Sequence, residues 1–280
     1  MRVAFVGTGL MGGPMVRRLA DAGHDVVVYA RRPDIADGLP GGRASSVAEA
    51  ADGADALCSI VTDSDDVVQV VDAALTATRP PPLVIEMSTI APDTARSLGA
   101  RSAERGVAYL DCPVSGGPPG AEAGTLAIMV GGDATALAAA APILDVLGDP
   151  DRRTHCGPIG SGLVVKLVNN LLVASITAAT GEALGLAQEA GVDPRLARRV
   201  VLGATGSSWQ LEHLFPRVLA GDHRPGFRIR DLRKDLGHAQ GLAGGPLPIG
   251  DVTAGLVRGL PDDADYGIIA RRFLGPPDPG

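Results

Sequence analysis

The chain has 280 residues, 45% of them hydrophobic and only 3% aromatic, with a net charge of −7. This length supports two domains with substantial cores, and an acidic balance without a basic stripe argues against nucleic-acid binding. The three cysteines, Cys58, Cys112 and Cys156, lack any C-x-x-C spacing, so neither a metal site nor a disulfide framework is expected and they read as reduced, mostly buried thiols.

The run ending at Val6 feeds directly into Gly7-Thr8-Gly9-Leu10-Met11-Gly12, the G-x-G-x-x-G spacing of a dinucleotide-binding turn between strand and helix. Gly7 lets the chain reverse, Gly9 lets a pyrophosphate approach the backbone, and Gly12 lets helix and strand pack closely. The helix N-terminus then offers free N–H groups to the phosphates, with Leu10 and Met11 in the same candidate cofactor loop. A second strand is predicted at Val26-Val27-Val28-Tyr29. An NAD-binding domain places an acid near the end of that strand for the adenosine 2′-hydroxyl. Here the chain reads Ala30-Arg31-Arg32. Two guanidiniums suit a 2′-phosphate; the alternative is a solvated basic turn, with Asp34 close enough to serve a ribose. NADP is therefore favoured over NAD.

Strands predicted at 56–61, 83–86, 107–110 and 126–130 are interleaved with helices at 65–76, 92–105 and 134–147. Such alternation indicates an α/β domain, a Rossmann-type doubly wound sheet over residues 1–160. Arg79-Pro80-Pro81-Pro82 reads as a rigid surface connection. The segment from Asp111 to Gly120 follows a strand, where ligands of open α/β sheets sit. In it the Ser115 hydroxyl and the N–H groups of Gly116 and Gly117 form a candidate carboxylate cradle, or else an ordinary glycine-proline loop. Beyond Gly160 the pattern becomes helical, running from 162 to 190 and stopping at Gly191, with no persuasive strands afterwards. Residues 161–280 are thus expected to form an all-α domain, joined to the first by a long interdomain helix and ending in a frayed tail over 275–280.

Lys166 and Asn170, four residues apart, share one face of that helix. Burying an unpaired lysine is costly, and burial lowers a lysine pKa, which suits a proton donor and acceptor working near neutrality. The other reading is a side chain snorkelling to water. Lys166, Asn169 and Asn170 interrupt the apolar stretch 162–179 and argue against a membrane span. With no signal peptide evident, a cytoplasmic location is expected.

Together these segments resemble the β-hydroxyacid dehydrogenases, which include 3-hydroxyisobutyrate dehydrogenase and tartronate semialdehyde reductase. Phe5 to Met15 is similar to the family's dinucleotide signature, and Asp111 to Gly120 with Gly124-Thr125-Leu126 and Met129 to Gly132 to its substrate-binding segment. Gly160-Ser161-Gly162 through Asn170 resembles its catalytic segment, and Lys234-Asp235-Leu236 its late lysine motif. The resemblance implies hydride transfer between a nicotinamide and a small 3-hydroxy acid or its semialdehyde. Lys166 would be the general acid/base and Asn170 would hold it or the substrate. Ser115, Gly116 and Gly117 would bind the substrate carboxylate. Thr89 and Lys234 would contact the cofactor near its nicotinamide end, and Val61, Thr62 and Asp63 would lie in a loop passing the dinucleotide. A homodimer or homotetramer built on the interdomain helix is also implied. Asn169-Asn170 resembles hydroxyisobutyrate enzymes, whereas Ser207-Ser208-Trp209 resembles tartronate semialdehyde-type reductases. Glyoxylate or succinic semialdehyde reduction, and a non-catalytic NADPH sensor or scaffold, stay open. Trp209, Leu214 and Phe227 are expected to set substrate length.

Overall fold

Alternation along β1 (Arg2–Val6) sets the layers of the N-terminal half. Val3 and Phe5 enter one hydrophobic core, while Ala4 and Val6 enter a second, because successive strand side chains point to opposite faces. A strand apolar on both faces needs helices on both sides of its sheet. The structure is a computed structural model describing residues 1–222 and 224–275. All but Gly275 of the expected frayed tail lies outside the described residues. The chain divides into two compact units, Met1–Lys166 and Leu167–Gly280.

The first unit continues through β2 (Asp25–Tyr29), β3 (Gly42–Arg43), β4 (Ala56–Ser59), β5 (Leu83–Glu86), β6 (Ala108–Asp111), β7 (Val114–Ser115), β8 (Leu126–Gly131) and β9 (Gly148–Gly157). The sheet order is β3-β2-β1-β4-β5-β6-β8-β7, with β9 paired to β8. Strands β3 to β6 are parallel, and the order reverses between β1 and β4, opening the crevice in which such sheets bind ligands. The helices of this unit are α1 (Gly12–Asp21), α2 (Val47–Ala51), α3 (Ser64–Leu75), α4 (Pro92–Ala103), α5 (Gly117–Ala123) and α6 (Ala134–Leu147).

Several elements differ from expectation. Strand β9 carries Asp149, Pro150, Asp151, Arg152 and Arg153 and is largely exposed, so it shows no hydrophobic alternation. Backbone pairing to β8 holds it, and its peripheral place in the sheet tolerates the proline. Strand β4 stops at Ser59, leaving Ile60 and Val61 in the following loop. Helix α5 begins inside the glycine-proline segment, with Pro118 and Pro119 in its first turn, where the missing N–H groups cost nothing. Cys58 and Cys112 are buried, and Cys156 is half-buried.

Helix α7 (Ser161–Glu189) is 29 residues long. By length and apolar composition it is able to cross a membrane, yet Ala174, Ala178 and Leu184 belong to the core of the second unit. That unit adds α8 (Pro194–Leu202), α9 (Phe215–Leu219), α10 (Ile229–Leu242) and α11 (Pro248–Val257). Phe215, Ile229, Leu232, Val257 and Ile269 fill its interior. Among the described residues its β pairing is confined to one bridge, Arg228 to Asp265.

Candidate active site

The glycine turn after β1 has the geometry its spacing requires. Gly7 has φ +96°, and a Cβ there would lie 2.0 Å from the Ile60 carbonyl oxygen. A Cβ at Gly12 would come within 1.7 Å of the Gly7 oxygen, so helix and turn meet only because neither carries a side chain. Gly9 is different. A Cβ there would meet nothing within 4 Å, which leaves open space for an approaching group. The Thr8 hydroxyl is buried without a hydrogen-bond partner. Helix α1 starts with no side-chain cap and no acid in its first turn. Uncapped N–H groups and the positive end of the helix dipole favour an anion, and a dinucleotide pyrophosphate fits these features.

At the end of β2, the exposed Arg31 pairs with Asp66 at 3.0 Å, and Arg32 is exposed beside it. Asp66 stands in the first turn of α3, and its N–H donates to the Asp63 carboxylate at 3.0 Å. Asp63, placed by sequence in a cofactor loop, therefore caps a helix. The loops leaving β4 and β5 are tied together. Val61 N–H donates to the Ser88 hydroxyl at 2.8 Å, which joins the chain around Val61 and Thr62 to the turn carrying Thr89. Beneath them lies Glu86, fully buried, accepting from the Ser88 N–H at 2.7 Å and from the Ser59 hydroxyl. Sequence reasoning passed over Glu86, whose one signal was an acid ending an apolar strand.

Asp111 ends β6, also fully buried. Its Oδ1 accepts the Gly160 N–H at 2.7 Å, and its Oδ2 accepts the Leu163 N–H at 2.9 Å. The first turn of α7 is thus capped by a carboxylate from the sheet, which satisfies otherwise orphaned donors. Space for it is made by two glycines: a Cβ at Gly131 would be 2.3 Å from Oδ1, and one at Gly162 would be 2.9 Å from Oδ2. Burial raises the Asp111 carboxyl above the ordinary range even though these N–H groups pull it down. Ser115 lies on β7, followed by Gly116 and Gly117 at φ +137° and +61°, conformations open chiefly to glycine.

Lys166 and Asn170 stand one turn apart on α7, and both are buried. In the second unit, Asn170 Nδ2 donates to Asp235 Oδ2 at 2.6 Å, and Asn169 Nδ2 donates to Asn170 Oδ1 at 3.0 Å. These bonds fix which way the Asn170 amide faces. Lys234 Nζ lies 3.4 Å from Asp235 Oδ1, so the fold joins Asn170 and Lys234 through an acid that sequence had quoted without a role. His238, one turn along α10, is held below its usual pKa by burial and by the Lys234 charge. Of the residues expected to set substrate length, Leu214 is core, while Trp209 is exposed and stacked on His213 at 4.6 Å. Phe227 packs against Tyr266 with ring centroids 5.8 Å apart.

Known proteins are similar to this chain in sequence and fold over most of its length. Residues 2–160 match the NAD binding domain of 6-phosphogluconate dehydrogenase, and residues 160–267 match the NAD-binding family of NADP-dependent 3-hydroxyisobutyrate dehydrogenase. The NAD-dependent L-serine dehydrogenase of Pseudomonas aeruginosa is 36% identical over 97% of both chains. The 3-hydroxyisobutyrate dehydrogenase of the same organism is 38% identical, covering 85% of this chain and 83% of the relative. A solved structure of Mycobacterium tuberculosis 3-hydroxyisobutyrate dehydrogenase with L-serine superposes with a TM-score of 0.90 at 32% identity, over 98% of this chain and 99% of that one. Tandem matches, end-to-end coverage and a glycine turn shaped for a pyrophosphate lead to one assignment: the chain belongs to the β-hydroxyacid dehydrogenases, a family of NAD(P)-dependent oxidoreductases.

Proposed function

We propose that the protein interconverts a small 3-hydroxy acid and its semialdehyde, with Lys166 as general acid/base and 3-hydroxyisobutyrate as the reference substrate. The observation that carries this reading is a buried lysine one turn beyond a helix start clamped by Asp111, with Asn170 oriented one turn further on. When bound, the nicotinamide cofactor supplies or accepts the hydride. In reduction, Lys166 Nζ gives its proton to the oxygen of the emerging alkoxide. In oxidation, the neutral amine takes the hydroxyl proton. Asn170 holds Lys166 or the substrate, and Ser115 with the backbone of Gly116 and Gly117 receives the carboxylate. Gly7, Gly9, Leu10, Met11 and Gly12 hold the pyrophosphate end of the cofactor. Val61 and Thr62 lie in the loop that passes the dinucleotide, and Thr89 and Lys234 serve its nicotinamide end.

NADP is the preferred cofactor in this reading, through Arg31 and Arg32. Arg31 is engaged by Asp66, so the guanidinium exchanges a carboxylate for the 2′-phosphate. Arg31→Gln is expected to weaken NADPH roughly 10–100-fold, the range for losing hydrogen bonds to a charged group, and to leave NADH unchanged. Titrations showing equal losses for both would remove Arg31 from phosphate recognition.

L-Serine is a second candidate, favoured by the serine dehydrogenase that matches over 97% of the chain. It too carries a hydroxyl on the carbon next but one to its carboxylate. Initial rates with 3-hydroxyisobutyrate, L-serine, tartronate semialdehyde, succinic semialdehyde and glyoxylate separate the alternatives. Turnover with a 3-hydroxy acid or its semialdehyde is the expected result, whereas a flat panel beside tight NADPH binding would favour a sensor. A homodimer or homotetramer is supported by the exposed Val165, Val168 and Leu172 at helical spacing on α7.

A further inference from the structure

Arg31 and Asp66 reach each other from opposite sides of the glycine turn. Strands β2 and β4 flank β1 in the sheet. Arg31 follows β2, and Asp66 stands in the first turn of α3, after β4. Their side chains form an ion pair at 3.0 Å, the arginine 76% exposed and the aspartate 19%. Arginine only donates and keeps its charge, so Asp66 supplies the acceptor. Among the described residues this is the one hydrogen bond of the Asp66 carboxylate. The Asp66 N–H is tied to the Asp63 carboxylate at 3.0 Å, which fixes the turn. Asp65 beside it is exposed, as is Asp34 after β2, and neither pairs with Arg31.

A dinucleotide domain that takes NAD uses an acid to accept from the adenosine 2′-hydroxyl, and Ala30 provides none. With the pyrophosphate at the turn after β1, the adenosine ribose lies toward the end of β2, beside the Arg31–Asp66 pair. The two groups a cofactor can bring there make opposite demands. A 2′-hydroxyl is a neutral donor, and a carboxylate accepts from it. A 2′-phosphate takes the guanidinium, and the carboxylate that Arg31 then leaves stays beside it on the anchored turn of α3. We propose, resting on the cofactor placement given above, that Asp66 is a specificity-determining residue: it receives the 2′-hydroxyl of NAD(H) and opposes the 2′-phosphate of NADP(H), holding down the preference that Arg31 confers. A dianion about 6 Å from a unit charge, at a dielectric constant of about 80 and low ionic strength, loses about tenfold in binding.

Asp66→Ala tests this with α3 intact, because alanine is the best helix former and the carboxylate removed bonds Arg31 alone. Dissociation constants for NADPH and NADH, measured by calorimetry at low ionic strength, are expected to move in opposite directions. NADPH tightens about tenfold, and NADH weakens about tenfold, as for a lost hydrogen bond to a charged acceptor. Asp66→Asn keeps an acceptor without the charge, so NADPH is expected to tighten and NADH to hold. Asp65→Asn removes the same charge from the exposed neighbour and is expected to keep the wild-type ratio. Weaker NADPH binding in Asp66→Ala would make Asp66 a holder of Arg31 for the phosphate and overturns the proposal. An unmoved ratio there, an equal shift in Asp65→Asn, or a loss of NADH affinity in Asp34→Ala alone overturns it too. Arg31→Gln tells this failure from that of the NADP reading. A selective loss of NADPH in that variant, beside an unmoved ratio in Asp66→Ala, removes Asp66 only. Wild-type protein that binds neither cofactor removes the cofactor placement as well.

Discussion

Lys166→Ala is expected to lower kcat by roughly 10²–10⁴-fold, the usual contribution of a positioned proton donor and acceptor, with cofactor affinity unchanged. The split follows from where the residue stands. Lys166 lies on α7, far along the chain from the glycine turn, and alanine is the best helix former, so the helix persists. Lys166→Arg separates charge from proton transfer, because an arginine keeps the cation but is not deprotonated in proteins. It is expected to fail in the oxidation direction, where a neutral base is required. Steady-state rates in both directions, with cofactor titration of each variant, check both statements. An alanine variant keeping most of its turnover would take Lys166 out of the chemistry.

Asp111→Ala should carry the largest cost in stability. It leaves the Gly160 and Leu163 N–H groups buried without an acceptor, at about 1–3 kcal/mol each. The melting temperature is expected to fall by roughly 5–20 °C for a unit of this size. The pH dependence has a definite sign. Burial raises the folded-state pKa of Asp111 above that of the unfolded chain, so the folded protein holds this proton more tightly. The stability Asp111 confers is therefore fullest below the ordinary carboxylate range of about 4 and declines as pH rises through the raised value. The difference in melting temperature between wild type and variant should shrink from acidic to neutral pH. A difference that grew over this interval would contradict the raised pKa. Since the same bonds fix the start of α7, turnover should fall at temperatures where the variant is still folded.

Much of the first unit was legible because its signals are local. The turn at Gly7, Gly9 and Gly12 is written in consecutive residues, and its three glycines meet three different surroundings, two crowded and one open. Helix α6 lies where periodicity predicts it, at 134–147. Strand β9 was missed because an exposed strand held by backbone pairing needs no hydrophobic alternation. Helix α5 was missed because the segment with Pro118 and Pro119 read as a glycine-proline loop, although the first helical turn accepts proline.

The candidate site divides along the same line. Spacing alone put Lys166 and Asn170 on one helical face, since four residues make about one turn. It also put two arginines after β2 and left no acid at Ala30. The supporting bonds could not be read that way. Asp111 caps a helix 52 residues later, Glu86 bonds Ser59 across 27 residues, and Asp235 reaches Asn170 across 65. The sequence by itself determined the turn, the alternation of strand and helix, and the residues with chemistry to offer, because these depend on neighbours within one or two turns of chain. Only the tertiary structure decided which buried acids hold those residues in place, because a buried carboxylate takes its donors from whatever backbone the folded sheet and helices bring within about 3 Å.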